Sequence, residues 1–229
     1  MSAHRASGYD RVLKSVAVIV VVIVAVWAWT RHERSVTEHK LAAVADVLAG
    51  REVGVKCQGF WGAMLDINGR SGEVQFPVGR PPDHMFLTRG VCGRLSAFMG
   101  AGHHRDLDCL ETIDWAHWSV EANYNDSCER GARSDAEAIN TLAHESMHLR
   151  GITGEAQAQC YAIQADAWTV ERLGGTTAEG VAVADYILAL QPALPSEYQS
   201  GSCRAGGELD VAPGTPSFPS ESPSAVPPL

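Results

Sequence analysis

The sequence lacks clustered positive charge and the motifs that mark several common classes of function. Its formal net charge is −9, and its lysines and arginines are scattered, which argues against nucleic acid as a partner. Neither a glycine-rich phosphate-binding loop nor a G-x-S-x-G motif occurs. The sequence therefore has no P-loop for nucleotide phosphates and no nucleophile turn of the serine-hydrolase type.

The cysteines include no C-x-x-C pair, the arrangement typical of thiol redox motifs. There are six of them, an even number, and all follow a long apolar run near the N-terminus. This pattern predicts three disulfides in an oxidising compartment, although six cysteines allow fifteen pairings. The alternative is a set of reduced, buried cysteines in a cytosolic domain. The six are Cys57, Cys92, Cys109, Cys128, Cys160 and Cys203.

The apolar run covers residues 16–29 and is rich in valine and isoleucine. It is shorter than the roughly 20 residues that a membrane span usually needs. Residues 12–30 are long enough to cross a bilayer if the Lys14 ammonium extends to the interface. Trp27 and Trp29 suit the interfacial belt of such a span. We therefore predict a single-pass signal anchor at 12–30, with the lipid bilayer as a partner.

A cleaved signal peptide is the alternative interpretation of the same run, and it would give a secreted protein. The best cleavage point follows Ala28, which two tryptophans flank, and this context is poor for cleavage. The flanking charges differ little across the run, so the orientation depends mainly on the cysteines. We predict a plasma-membrane protein with a cytoplasmic N-terminus and an extracytoplasmic main domain.

The length of 229 residues and the hydrophobic content of 45% allow one core with appendages. The expected fold class is mostly α (α+β), with a small strand and hairpin region. We predict a short cytoplasmic N-terminus (1–11), the anchor, a juxtamembrane helix (31–51), an extracytoplasmic domain (52–205) and a Pro/Ser-rich disordered tail (206–229). No internal repeats occur.

Within the main domain, strands are expected between residues 52 and 76, with a hairpin at Asn68-Gly69. The prolines that follow predict a loop, and Thr88 is expected to cap a helix that ends at Met99. Three further helices are expected, each identified by a cap and by apolar spacing. They begin at the capping box of Ser134 and Glu137, near Thr153, and at the capping box of Thr176 and Glu179.

The second of these four helices carries the most informative stretch of the chain, because residues 144–148 form an H-E-x-x-H motif. Residues four apart share one face of a helix, so His144 and His148 can bind the same metal ion. Glu145 can reach a water molecule bound to that metal. Two nitrogen ligands, an open coordination position and a carboxylate base are the minimum for zinc-assisted hydrolysis.

A third ligand is required, and the chain just after the motif offers candidates. Gly151 stands where a helix C-terminus favours glycine, and Gly154 follows closely, so the chain can reverse sharply between them. Glu155 then begins the next helix.

Here the sequence resembles the zincin metallopeptidases, specifically the gluzincin type. In that type a glutamate on the helix after H-E-x-x-H completes the site, so the resemblance implies Zn²⁺ held by His144, His148 and Glu155. Residues 155–159 are loosely similar to its glutamate segment. The metzincin pattern does not fit, because Gly154 stands where that family has a third histidine. The chain also resembles actinobacterial membrane-anchored proteins that carry such a peptidase motif.

The third-ligand assignment makes a geometric prediction. In one unbroken helix, Glu155 would lie about 10 Å beyond His148 along the axis, too far for a shared ion. If the chain reverses, the Glu155 carboxylate should lie within about 5 Å of both imidazoles. Asp166 and Glu171 remain alternative third ligands.

The function that these residues predict is zinc-dependent hydrolysis of a peptide or protein substrate, with Glu145 as the general base. The alternative is a non-enzymatic, disulfide-stapled surface module with a structural or vestigial metal site. An oxyanion stabiliser is also expected, and the sequence does not place one near the zinc. The candidates are His103, His104, His117, Tyr124 and Tyr161.

Overall fold

The computed structural model describes residues 4–59, 72–77, 82–100, 107–115, 128, 130–214 and 218–219. They are mostly helical with one small sheet, as the sequence predicts. The chain divides into two compact units, residues 1–37 and 38–229. The predicted hairpin turn at 68–69 lies outside the described residues.

The first unit consists of most of helix α1 (His4–Ala49). From Leu13 onward this helix is long and apolar enough to cross a membrane, and its most apolar stretch is not buried in the protein. Both a membrane anchor and a signal sequence fit this observation. The predicted anchor and the predicted juxtamembrane helix are parts of this one uninterrupted helix.

In the second unit, the last turns of α1 form part of the core, where Leu41, Ala45 and Leu48 are fully buried. The helix ends at Gly50, whose φ of 70° lies in the left-handed region that glycine adopts without strain. The backbone N–H of Val53 donates to the Asp46 carboxylate at 2.7 Å and leads the chain into the sheet.

The sheet contains three short strands, β1 (Gly54–Cys57), β2 (Gly72–Val74) and β3 (His84–Leu87), in the order β1-β3-β2. Strand β3 is parallel to β1 and antiparallel to β2. The sequence did not predict β3, because neighbouring prolines indicated a loop. Its buried Met85 and Leu87 stabilise the strand through tertiary packing. A strand of four residues has too short a sequence pattern to be predicted without that packing.

Helix α2 (Arg89–Phe98) begins as predicted, with the Thr88 hydroxyl accepting from the Val91 N–H at 3.4 Å. Helix α3 (Asp108–Glu111) is a single short turn. The three predicted disulfides are confirmed, and they join Cys57 to Cys92, Cys109 to Cys128 and Cys160 to Cys203.

Three longer helices complete the unit: α4 (Arg130–Arg150), α5 (Glu155–Leu173) and α6 (Thr177–Leu190). Helix α5 packs against both α4 and α6. The predicted capping box of Thr176 and Glu179 at the start of α6 is confirmed by both of its hydrogen bonds. Two 3-10 turns follow, Gln191–Ala193 and Ser196–Tyr198.

One predicted helix start and one predicted helix cap are wrong. Helix α4 begins at Arg130, so Ser134 is inside it, and the Glu137 carboxylate accepts from the Tyr186 hydroxyl at 3.2 Å. The S-x-x-E pattern is compatible with a helix interior, and here the helix extends a turn further. Helix α5 starts at Glu155 as expected, but its cap is Gly154 rather than Thr153, and glycine has no side chain that could bond to the first turn.

Part of the predicted disordered tail is bound to α5. Residues 206–214 form turns and bends. The Gln164 side chain donates to the Leu209 carbonyl at 2.8 Å and accepts from the Val211 N–H at 2.9 Å. Residues 215–217 and 220–229 lie outside the described residues, and the prediction of disorder there stays a prediction.

Candidate metal centre

Helix α4 holds the two motif histidines on one face. Its apolar stripe, which includes Ile139, Leu142 and Met147, is fully buried and fixes the rotation of the helix about its axis. His144 and His148 are themselves 6% and 5% exposed. Their ring centroids lie 4.7 Å apart at an interplanar angle of 86°. The local helix therefore suffices to bring both imidazoles together.

The end of α4 reverses the chain through a Schellman turn. Gly151 has a φ of 108°, its N–H bonds to the His148 carbonyl at 2.9 Å, and the Ile152 N–H bonds to the Met147 carbonyl at 3.1 Å. A side chain other than glycine would be strained at this φ. The turn lets α5 start beside the end of α4 rather than continue it.

This reversal places the Glu155 carboxylate between the two histidines. Its Oε2 atom lies 3.0 Å from His144 Nε2 and 3.2 Å from His148 Nε2. The predicted approach to within about 5 Å is therefore confirmed. Ligand atoms at zinc-like bond lengths around one tetrahedral ion lie about 3.3 Å apart. One candidate ligand atom from each residue lies within 4.8 Å of the other two, so the three residues could hold a metal ion.

The charge state of Glu155 favours metal binding. The hydrogen bond with His144 holds the pKa of this carboxyl below its usual range, against the opposing effect of burial. Both imidazoles also lower the pKa through their charge when protonated, and in that state His148 Nε2 donates a further hydrogen bond to the carboxylate. Glu155 is therefore ionised at neutral pH, the state in which a carboxylate binds a cation.

The tautomer of His148 is set by the same turn. Its Nδ1–H donates to the Ile152 carbonyl at 2.7 Å, and a carbonyl can only accept. In the neutral imidazole the lone pair is then on Nε2, the atom that faces Glu155. For His144 the Nδ1 atom is buried and finds no hydrogen-bond partner among the described residues, while Nε2 faces Glu155. Both Nε2 atoms are thus the ones that would bind a metal.

The alternative third ligands lie elsewhere. Asp166 is fully buried and accepts a hydrogen bond from Asn140. Glu171 accepts from the Thr177 hydroxyl at 2.6 Å on an exposed surface. Neither belongs to the cluster of the two histidines and Glu155 in the part of the chain that the structure describes.

The predicted general base, Glu145, lies under the edge of the sheet. It is 6% exposed, and strand β2 crosses it at Gly72. A Cβ atom at position 72 would lie 2.7 Å from Glu145 Cγ and 2.8 Å from Glu145 Oε1. Glycine is therefore required at this position if the carboxylate is to keep its place.

The metal cluster opens into a cavity of about 700 Å³, which Glu145 also lines. One side comes from α4 and the start of α5, and another from β2 with Val74 and Phe76. The segment after α6 supplies a further wall, including Leu194, Pro195 and Tyr198. The mixture of apolar walls and a few converging polar groups is typical of a ligand-binding site.

Tyr198 is a residue of the site that the sequence did not indicate. Its ring centroid lies 5.6 Å from that of His144. It stands far from the motif in sequence, and the Cys160–Cys203 disulfide, which joins α5 to the chain just after Tyr198, is the signal that could have located it. Among the predicted oxyanion candidates, Tyr161 is buried and does not line the cavity. His103, His104, His117 and Tyr124 lie outside the described residues.

The cavity is strongly acidic. Five glutamates line it, and no lysine or arginine is among the described residues of its walls. Burial raises the pKa of Glu137, opposed by the Tyr186 hydroxyl and the charge of Arg133. The five are Glu73, Glu137, Glu145, Glu155 and Glu197.

Comparison with known proteins identifies no relative of this chain. No protein-family model, no curated protein and no solved structure matches the chain. The resemblance to gluzincins therefore stays a prediction, and the interpretation of the site depends on its own geometry.

Proposed function

We propose that the protein is a zinc-dependent hydrolase that cleaves a peptide or similar amide bond. The observation that carries this proposal is the convergence of His144, His148 and Glu155 beside Glu145 in an open cavity. The donor set of two imidazoles and one carboxylate suits zinc, and a catalytic zinc site characteristically has three protein ligands.

The chemistry divides between the metal and the chain. Bound zinc would polarise the scissile carbonyl and lower the pKa of a water molecule. Glu145 takes a proton from the attacking water as the new carbon–oxygen bond forms, and then gives it to the amine nitrogen as the carbon–nitrogen bond breaks. The hydroxyl of Tyr198, on the cavity wall beside His144, is our candidate for stabilising the oxyanion.

The composition of the cluster favours this function over a structural metal site. A structural zinc is closed by four protein ligands, whereas a catalytic zinc keeps one position open. Within the described residues the cluster contains three ligands and adjoins the large cavity. The non-enzymatic module therefore remains the second candidate, without an observation that favours it.

The walls of the cavity suggest the charge of the substrate. A zinc ion with Glu155 and Glu145 contributes no net charge if the imidazoles are neutral, and Arg133 offsets the charge of Glu137, so Glu73 and Glu197 leave the cavity negative. A negative cavity attracts cations and raises their local concentration. We therefore propose that the substrate is a peptide with a positively charged group near the scissile bond.

The N-terminal helix and the disulfides support a membrane-anchored protein whose disulfide-containing unit lies outside the cytoplasm. The helix is long and apolar enough to span a bilayer, and the three disulfides form in oxidising compartments. We propose a single-pass plasma-membrane protein whose N-terminus is cytoplasmic and whose disulfide-containing unit is extracytoplasmic. Secretion after removal of the helix as a signal peptide is the alternative, and N-terminal sequencing of the mature protein distinguishes the two.

The test of the function uses the full chain purified in detergent. Elemental analysis should find about one zinc per chain. The Glu145→Gln variant should keep this zinc but hydrolyse peptides about a thousand-fold more slowly, because glutamine cannot accept the proton. If the wild-type protein binds zinc yet cleaves nothing in a broad peptide library, the module with a structural metal becomes the better description. If it binds no zinc, the hydrolase is ruled out and the module with a vestigial metal site becomes the better description.

A further inference from the structure

Three buried polar side chains form a hydrogen-bonded chain between α4 and α5 that begins one helical turn from the metal cluster, and the proposed chemistry uses none of them. Asn140, Gln159 and Asp166 are 8%, 4% and 0% exposed. Asn140 precedes His144 by one turn of α4, and Gln159 follows Glu155 by one turn of α5. We call these three residues the amide–acid network.

The hydrogen bonds of the network run in one direction. Gln159 Nε2 donates to Asn140 Oδ1 at 2.9 Å, and Asn140 Nδ2 donates to Asp166 Oδ2 at 2.9 Å. Rotating the Asn140 amide by half a turn would bring two N–H donors together at Gln159. Both bonds form only when Asn140 on α4 faces Gln159 and Asp166 on α5.

Burial of these groups is costly, which indicates a role beyond packing. Burial raises the pKa of Asp166 well above its usual range, and the hydrogen bond from Asn140 opposes this only in part. Buried polar groups destabilise a fold unless they are bonded, and apolar side chains would pack here without that cost. What the polar groups add is directional bonding, which specifies position.

The start of α5 needs such positioning. Its cap is Gly154, which has no side chain to bond to the first turn, and the Glu155 side chain is 38% exposed. The Glu155–His144 contact and the Gln159–Asn140 contact lie about 6 Å apart along each helix. Two directional contacts at this spacing define how the two helices cross, whereas one contact would let α5 pivot.

We propose that Asn140, Gln159 and Asp166 are positioning residues that hold the first turn of α5 where Glu155 meets both histidines. They do not touch the metal, and they act through the relative placement of the two helices. This inference rests on the proposed metal site, but not on peptide hydrolysis.

The experiment compares Gln159→Met and Asp166→Leu with the wild type, using the full chain in detergent. Gln159→Met keeps the approximate volume, Asp166→Leu keeps the branched outline with a larger volume, and each change removes one hydrogen bond. We expect the zinc dissociation constant, measured by competition with a chromophoric chelator, to rise about ten-fold in each. The visible absorption bands of the Co²⁺-substituted protein should also weaken and shift, because they report the geometry of the ligands.

Asp166→Asn supplies the conservative rescue. An asparagine has the shape of the neutral acid and keeps an oxygen that accepts from Asn140, so zinc affinity and the Co²⁺ spectrum should stay near the wild type. Thr169→Val is the matched control on the same helix. It removes a buried hydrogen bond, from the Thr169 hydroxyl to the Ala165 carbonyl at 2.9 Å, that lies outside the network.

The outcomes separate this inference from the proposed function. Wild-type zinc affinity and spectra in folded Gln159→Met and Asp166→Leu would overturn the positioning role and leave the metal site intact. Equal losses in Asp166→Asn and Asp166→Leu would overturn it too, because the hydrogen bond would not be the cause. If Asp166→Leu does not fold, Gln159→Met and Asp166→Asn still decide the question. A wild-type protein without zinc affinity would overturn the metal site and this inference together.

Discussion

The two faces of helix α5 are built from different kinds of contact. Toward α4 the helix presents the polar side chains of Glu155, Gln159 and Asp166, which bond to partners on α4. Toward α6 it makes close apolar and backbone contact: a Cβ atom at Gly180 would lie 2.7 Å from the Ala167 carbonyl oxygen. The comparison suggests that one face specifies where the ligands lie and the other supplies stability.

The largest expected effect comes from removing a ligand from the metal cluster, which lies between the polar face of α5 and α4. His144→Ala removes one of three ligands, so zinc affinity should fall by more than about 100-fold, with loss of any hydrolysis. Isothermal titration with zinc measures the affinity. His39→Ala, which changes an exposed histidine of the second unit, is the control and should bind zinc like the wild type. Equal zinc affinity in both variants would contradict the metal site.

Breaking the apolar face should affect stability instead. Gly180→Ala places a methyl group against the backbone of Ala167, so the free energy of unfolding in urea should fall by about 1–3 kcal/mol. Gly93→Ala makes the same change in α2, where the added methyl meets open space, and should stabilise the protein by about 0.5–1 kcal/mol.

Measuring the zinc affinity of Gly180→Ala tests whether the two faces of α5 act independently. In the folded Gly180→Ala protein the affinity should stay within about two-fold of the wild type, because the polar face is unchanged. A ten-fold loss of affinity would show that the two faces are coupled, and the division of roles along α5 would be wrong.

A smaller effect is expected where the sheet edge meets Glu145. Gly72→Ala should displace the Glu145 side chain and lower kcat about ten-fold with zinc retained, because the base must be positioned to accept a proton. In the Glu145→Gln background the same change should cost almost nothing more, since the two act on one group. If the two changes lower kcat additively, Gly72 does not act through Glu145.

The smallest effect concerns the charge of the cavity wall. Glu197→Gln should raise KM several-fold for a peptide with lysine near the scissile bond and leave a neutral analogue unchanged, because exposed charges interact weakly. The difference should shrink in high salt. Glu208→Gln, an exposed change that does not line the cavity, is the control. A uniform change for both peptides would argue against charge selection.

The sequence predicted those parts of the site whose signals are local. The spacing of His144 and His148 and the glycine at position 151 each act within a few residues, so the pattern predicts the shared face and the reversal without tertiary information. The capping boxes show the limit of such signals: the one at Thr176 is correct, while the one at Ser134 lies inside a longer helix.

The parts that the sequence did not predict depend on contacts between distant residues. Strand β3 is stabilised by pairing with both neighbours, and its four residues carry little pattern of their own. Gly72 over Glu145 and Tyr198 beside His144 follow from how the sheet and the last turns pack on α4. The bond between Asn140 and Asp166 spans 26 positions and likewise has no local signature.

The Schellman turn at Gly151 also bears on the order in which the protein folds. All three candidate ligands lie within 11 positions of one another in the sequence, and this turn lets them meet in space. Closing so short a loop costs little chain entropy, and local contacts form sooner than distant ones. The ligand cluster can therefore form as soon as α4 and the start of α5 meet, whereas the cavity walls must wait for β2 and for the segment that carries Tyr198. We therefore expect metal capture and completion of the cavity to be separable events on the folding path.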